Sequence, residues 1–155
     1  LTTFNLDKIN GYLGRVPQEF DGKSAHIGWF EDAKYEDGTP VAEVAAQNEF
    51  GVPTKHIPPR PFMRPTVADK SLEWATNLGL GVVEVQDINM TATQVLDAVG
   101  SGAAGDIQKT ISLITSPAIS AYTISKRLDR GNTSVKPLVD TGLMIASLHA
   151  VTVGE

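Results

Sequence analysis

The sequence predicts an α+β fold: a small antiparallel sheet packed with several helices, in a single domain with an extended Pro-rich loop. Three observations predict it. Residues 24–30 and 149–153, near opposite ends of the chain, read as strands. Residues 66–128 carry apolar positions at helical spacing, broken by caps and turns. The stretch between, residues 52–65, holds prolines that suit neither a helix interior nor a ladder.

Bulk properties bound the answer. The chain has 155 residues, which suits one domain. A chain of this size buries roughly 68–70% of its unfolded surface and needs no covalent staple. It has no cysteine, which excludes disulfides and thiolate metal sites. His26, His56 and His149 are too widely spaced to form a local metal motif. The net charge of −5 argues against wrapping nucleic acid, which needs dense Lys and Arg. It is compatible with a passage through which DNA slides without sticking. No run approaches roughly 18 apolar residues, so no membrane span is expected. No charged and then apolar segment at the start of the chain reads as a secretory signal. The chain begins at Leu1 without Met, which leaves open whether residues precede it.

Residues 1–20 read as a short helix, with Leu6, Ile9, Leu13 and Val16 at helical spacing, ended by Pro17 and the Asp21-Gly22 turn. In the strand at 24–30, Ala25, Ile27 and Trp29 share one face and His26 takes the other. Asp37-Gly38 is a turn signal. A helix over 40–50 follows, with Thr39 as cap and Pro40 at its first position. Glu43 and Glu49 do not share a face of it, so they make a poor acid/base pair. Glu49 reads instead as a surface or interface ion-pair partner. Gly51 suits the left-handed turn past the helix end.

The strap comes next. Pro58, Pro59, Pro61 and Pro65 each fix φ and lack an N–H. They push Ile57, Pro58, Arg60 and Arg64 towards extended backbone. Ile57 and Phe62 can anchor the strap to a core, and Arg60 and Arg64 can pair with carboxylates. The plain reading is a rigid surface connector.

Thr66 can cap a helix that carries Leu72, Trp74 and Leu78. Residues 79–90 admit two readings: Val82, Val83 and Val85 favour a strand, while the preceding pattern could simply continue. Thr91-x-x-Gln94 is a capping box. Gly100 to Gly105 spells G-x-G-x-x-G, but it follows a helical pattern rather than a strand, so close packing or a kink is the better reading. Ile107, Ile111 and Ile114 make an apolar stripe, and Ser116-Pro117 breaks it. A short helix over 118–128 ends in Lys126-Arg127. Residues 129–136 read as a mobile loop with solvated charges. Asp140-Thr141-Gly142 can cap a last helix through Leu148. No local nucleophile motif, Walker lysine or two-metal acidic cluster is readable, so no catalytic, cofactor or metal residue is assigned.

Three stretches carry a family resemblance. They are "NEFG" at 48–51 followed by "IPPRPFMRPT" at 57–66, then "TISKR" at 123–127, then "KPLVDTGLMIASL" at 136–148. In this order and spacing they resemble the tail-completion and head–tail joining proteins of tailed bacteriophages, over residues 24–153. Those proteins often carry a helix ending near His-Glu-Phe-Gly, an Ile-Pro-x-Arg-Pro-Phe strap, and a Pro-Leu-x-Asp-Thr-Gly stretch before a short helix. Asn48 stands at the usual His position, so no role of that imidazole carries over.

The resemblance implies a structural virion protein and not an enzyme, made in the host cytoplasm and placed at the head–tail junction. It implies a homo-oligomeric ring, six-fold, with a channel that passes DNA without sequence-specific binding and with no membrane contact. The implied partners are other neck proteins: a connector or stopper, a tail terminator, or the tail tube. Candidate subunit contacts are Glu49, Phe50, Ile57, Arg60, Phe62 and Arg64, with Arg130 and Lys136 as a second group. A stiff strap loses little entropy on docking, and Arg and aromatic residues carry interface energy. For 79–90 the resemblance favours helix. The alternatives are a tail-terminator ring capping the tail tube and a nucleotide-binding enzyme using Gly100–Gly105.

Overall fold

A computed structural model describes residues 6–154. The element order is α1 (Leu6–Phe20), β1 (Ser24–Gly28), α2 (Val41–Phe50), a 3-10 turn (Pro53–Lys55), α3 (Met63–Gln86), α4 (Ala92–Leu113), α5 (Ala121–Leu128), α6 (Leu143–Ala146) and β2 (His149–Val153). The fold is α+β. The first five residues of the predicted opening helix lie outside the described residues. That helix runs past Pro17 to Phe20, since one missing N–H removes a single bond of the ladder.

β1 and β2 pair antiparallel, from Ser24 opposite Val153 to Gly28 opposite His149. The strand ends at Gly28, two residues short of the predicted bound. Neither the strap nor residues 80–86 add a strand. Residues 80–86 belong to α3, because helical spacing buries Val85 completely. Burial on that period outweighs the weak strand preference of valine.

α4 lies across the sheet, and its small residues decide how closely. A Cβ at Gly100 would stand 2.9 Å from the Ala150 Cβ. α3 runs beside α4, and a Cβ at Gly81 would collide with the Val95 side chain. The capping box at Thr91 and Gln94 starts α4 as predicted. The main core gathers Val41, Ala45, Phe62, Ile107, Ile111, Met144 and Leu148. Among the described residues, no helix is long and apolar enough to cross a membrane.

The glycine run at 100–105 sits inside the uninterrupted α4. Its backbone N–H groups are committed to the helix ladder, so they cannot cradle a phosphate. Gly100 is a packing residue, whereas Gly102 and Gly105 face open space.

Candidate functional site: the strap and the cleft beside it

α2 points its C-terminal end at the start of the strap. Gly51 has φ 74°, and a Cβ there would stand 2.8 Å from Pro59 N, so only glycine fits. The strap is less extended than its prolines suggest. Val52 and Ile57 bridge to each other around the 3-10 turn, closing a tight loop. Only the segment from Ile57 to Phe62 runs without helical structure. α3 then begins at Met63, three residues before the predicted Thr66 cap.

Glu49 explains the early start. Its Oε2 accepts from the backbone N–H of Phe62 at 2.6 Å and of Met63 at 2.9 Å. Its Oε1 accepts from the Arg64 N–H at 3.2 Å and from Arg64 Nε at 2.9 Å. Glu49 thus caps α3 from outside that helix, and the helix dipole adds to the attraction. Pro65 in the first turn costs little, since N–H groups there have no partner within the helix. Burial pushes the Glu49 carboxyl up, but the four hydrogen bonds outweigh it and hold the group below its ordinary value. Glu49 is only 4% exposed; it is an ion-pair partner as expected, but its partner is Arg64 of its own chain.

Phe62 is buried, with its ring edge-on to Trp29 at a centroid distance of 5.8 Å. Trp29 in turn donates from Nε1 to the Met144 carbonyl at 2.8 Å. Arg60 is buried too and pairs with carbonyls, not carboxylates. Its Nε donates to Pro117 O at 2.7 Å and its Nη2 to Ala118 O at 3.0 Å. Its backbone N–H donates to Asn48 O at 2.7 Å. Arg64, by contrast, is exposed and lies over the Phe50 ring at 4.8 Å. Phe50 is 64% exposed. The candidate contacts therefore divide. Glu49, Arg60 and Phe62 hold the strap to its own chain, while Phe50 and Arg64 form one outward-facing pair and Ile57 is half-buried.

The loop at 129–136 is braced, contrary to its composition. Arg127 Nη1 donates to the carbonyls of Ser134, Lys136 and Val139 at 2.8 to 3.1 Å. Asp140 accepts from Arg130 Nη2 at 2.7 Å and from Asn132 Nδ2 at 2.7 Å, and lies 3.5 Å from Arg127 Nε. Arg130 is exposed, while Lys136 is half-buried and contributes its backbone carbonyl. Asp140 is thus engaged with cations rather than capping the last helix. Gly142, with φ 79°, starts α6, which is a single turn.

These pieces meet at a cleft of about 590 Å³. One wall is Val44 and Asn48 of α2 with Ile57, Pro58 and Arg60 of the strap. The other is Ile119, Arg127, Leu138 and residues 140–144. Tyr35, Asp37 and Asp140 bring the oxygens. Burial, then Asp140 and Asp37, push the Tyr35 hydroxyl above its ordinary value. Burial, then nearby Arg127, pushes the Arg60 guanidinium down. Arg127, Asp140 and Tyr35 were not singled out as site residues from the sequence. A cation at the end of α5 beside a Pro-Leu stretch gave no periodic signal. Among the described residues, no group of His, Asp and Glu is placed to hold a metal ion.

Comparison with protein-family models, curated proteins and solved structures finds no match to this chain.

Proposed function

We propose that this chain is a structural component of a tailed-phage neck. It forms a ring at the head–tail junction and leaves a passage for DNA. The supporting observation is that the three sequence stretches resembling the tail-completion family converge on one cleft. Asn48, Arg60, Arg127 and Asp140 come from three separate stretches and line the same space. Glu49 fastens the two halves of the first stretch, the end of α2 and the strap, and Arg127 fastens the second to the third. A unit joined in this way presents one face made of all three stretches. Assembly is then the function: the strap is already ordered, so docking loses little further entropy. Phe50 and Arg64 supply the aromatic and guanidinium types that anchor interfaces.

The tail-terminator reading shares this physics and differs in the neighbouring protein. Negative-stain images of the purified protein test the proposal. Annular particles with an open centre are expected. Particles of single-chain size in every field would remove it.

A further inference from the structure

The cleft holds a buried cation that has no ion-pair partner among the described residues. Arg60 is 6% exposed and donates only to backbone carbonyls, with no carboxylate beside it among the described residues. Its third nitrogen, Nη1, makes no hydrogen bond among the described residues. Arg127 stands close enough to repel it. Of the two acids that line the cleft, Asp140 already serves Arg127, Arg130 and Asn132, and Asp37 accepts from the Thr39 N–H. A buried cation without a counter-charge is costly, and an incoming carboxylate offsets that cost. Ile57, Pro58, Ile119 and Leu143 add apolar lining to the same cleft.

The opposite imbalance sits at the far end of α3. That helix has 24 residues, so its last turn lies about 36 Å from the strap. Glu84 and Asp87 stand there, and the last turn has no basic residue of its own. Acids at a helix C-terminus oppose its dipole. Arg15 donates to Val85 O, which answers one carbonyl, but neither acid has an ion-pair partner among the described residues. Beside Asp87, Ile88 is 70% exposed with φ 64°, a conformation that a β-branched side chain rarely takes. The turn is firmly held: Asn89 and Met90 donate their N–H groups to Glu84 O, and Asn89 Nδ2 donates to Glu84 Oε2. A rigid knob therefore presents one apolar side chain and one carboxylate without an ion-pair partner among the described residues.

We infer that the Asp87-Ile88 knob of one copy docks in the Arg60 cleft of the next copy. The pairing joins carboxylate to guanidinium and isoleucine to an apolar wall. Because knob and cleft are different surface patches, set at opposite ends of α3, the contact is head-to-tail. Contacts of that kind close into rings when the rotation allows. The inference rests on the ring reading and names its contact.

The cysteine-free chain allows a clean test. The variant carrying both Ile88→Cys and Ile119→Cys is treated with a short bis-maleimide, beside each single variant. A covalent ladder beyond the dimer is expected from the double variant alone. A ladder that also vanishes in Asp87→Lys, with association about tenfold or more weaker, supports the contact. Asp87 is exposed, so that change leaves the fold in place. Wild-type rings with no ladder, or rings untouched by Asp87→Lys, overturn this contact and leave the ring reading standing. A wild type that stays single-chain at every concentration overturns both.

Discussion

Glu49 Oε2 accepts a hydrogen bond from the backbone N–H of Phe62 at 2.6 Å across 13 residues of chain. This bond joins the end of α2 to the beginning of α3. It also sets where the proline strap must stop. The carboxylate is buried, charged and bonded to three backbone N–H groups and one guanidinium.

Replacing Glu49 should therefore be costly. Glu49→Ala is expected to destabilise the fold by about 3–5 kcal/mol, since it leaves α3 uncapped and Arg64 unpaired. Glu49→Gln keeps the shape and part of the hydrogen bonding, and about 2 kcal/mol is expected. Urea titration of the three proteins measures both.

The same residue sets an acid limit. Its carboxyl is held below the ordinary value in the folded state. The stability it contributes is present above the unfolded carboxyl range and is lost as pH falls through the lowered folded value. Wild-type stability should fall over that acidic window. The Glu49→Gln protein should show a shallower fall there, as its side chain does not titrate. Equal slopes for the two proteins would contradict the assignment.

The strands and most helices were legible in the sequence because each is written in local periodicity. Residues 24–28 and 149–153 alternate, the Thr91-Gln94 box is a short-range signal, and Gly51 marks a helix end by its own backbone freedom. The partners of Glu49 were not legible, because a cap supplied from 13 residues away has no periodic trace. One clue was present: an acid in the last turn of α2 opposes that helix's dipole, which suggests employment elsewhere. Asp140 misled for the same reason. It looks like a local cap and instead answers Arg130, Asn132 and Arg127 across the loop. For the site, the sequence identified the strap but not its two sides. Burial alone separates Arg60 and Phe62 from Phe50 and Arg64.

The glycines of α3 and α4 give a paired prediction. Gly81→Ala should destabilise by about 1–3 kcal/mol, because its Cβ collides with Val95 across the helix seam. Gly102→Ala and Gly105→Ala face open space and should stabilise by up to about 1 kcal/mol. Thermal melts of the three variants check this. Adding nucleotide should not shift any of the melts, since the run is mid-helix; a clear upward shift would revive the nucleotide reading.

Arg127 should behave as a structural cation. Arg127→Ala leaves three carbonyls without this donor and removes a cation 3.5 Å from Asp140, and a loss of about 3–5 kcal/mol is expected. Arg127→Lys keeps the charge but cannot span the three acceptors, so it should rescue only part of it. Limited proteolysis offers a local readout: cleavage within 129–139 should appear in the alanine variant before global unfolding.

The most direct measurement is the light-scattering mass of the wild-type protein across a range of concentrations. One chain weighs 16.6 kDa, and a closed six-fold ring would weigh about 100 kDa. The account predicts a discrete ring mass that persists on dilution into the low micromolar range. A mass of one chain at every concentration would contradict it.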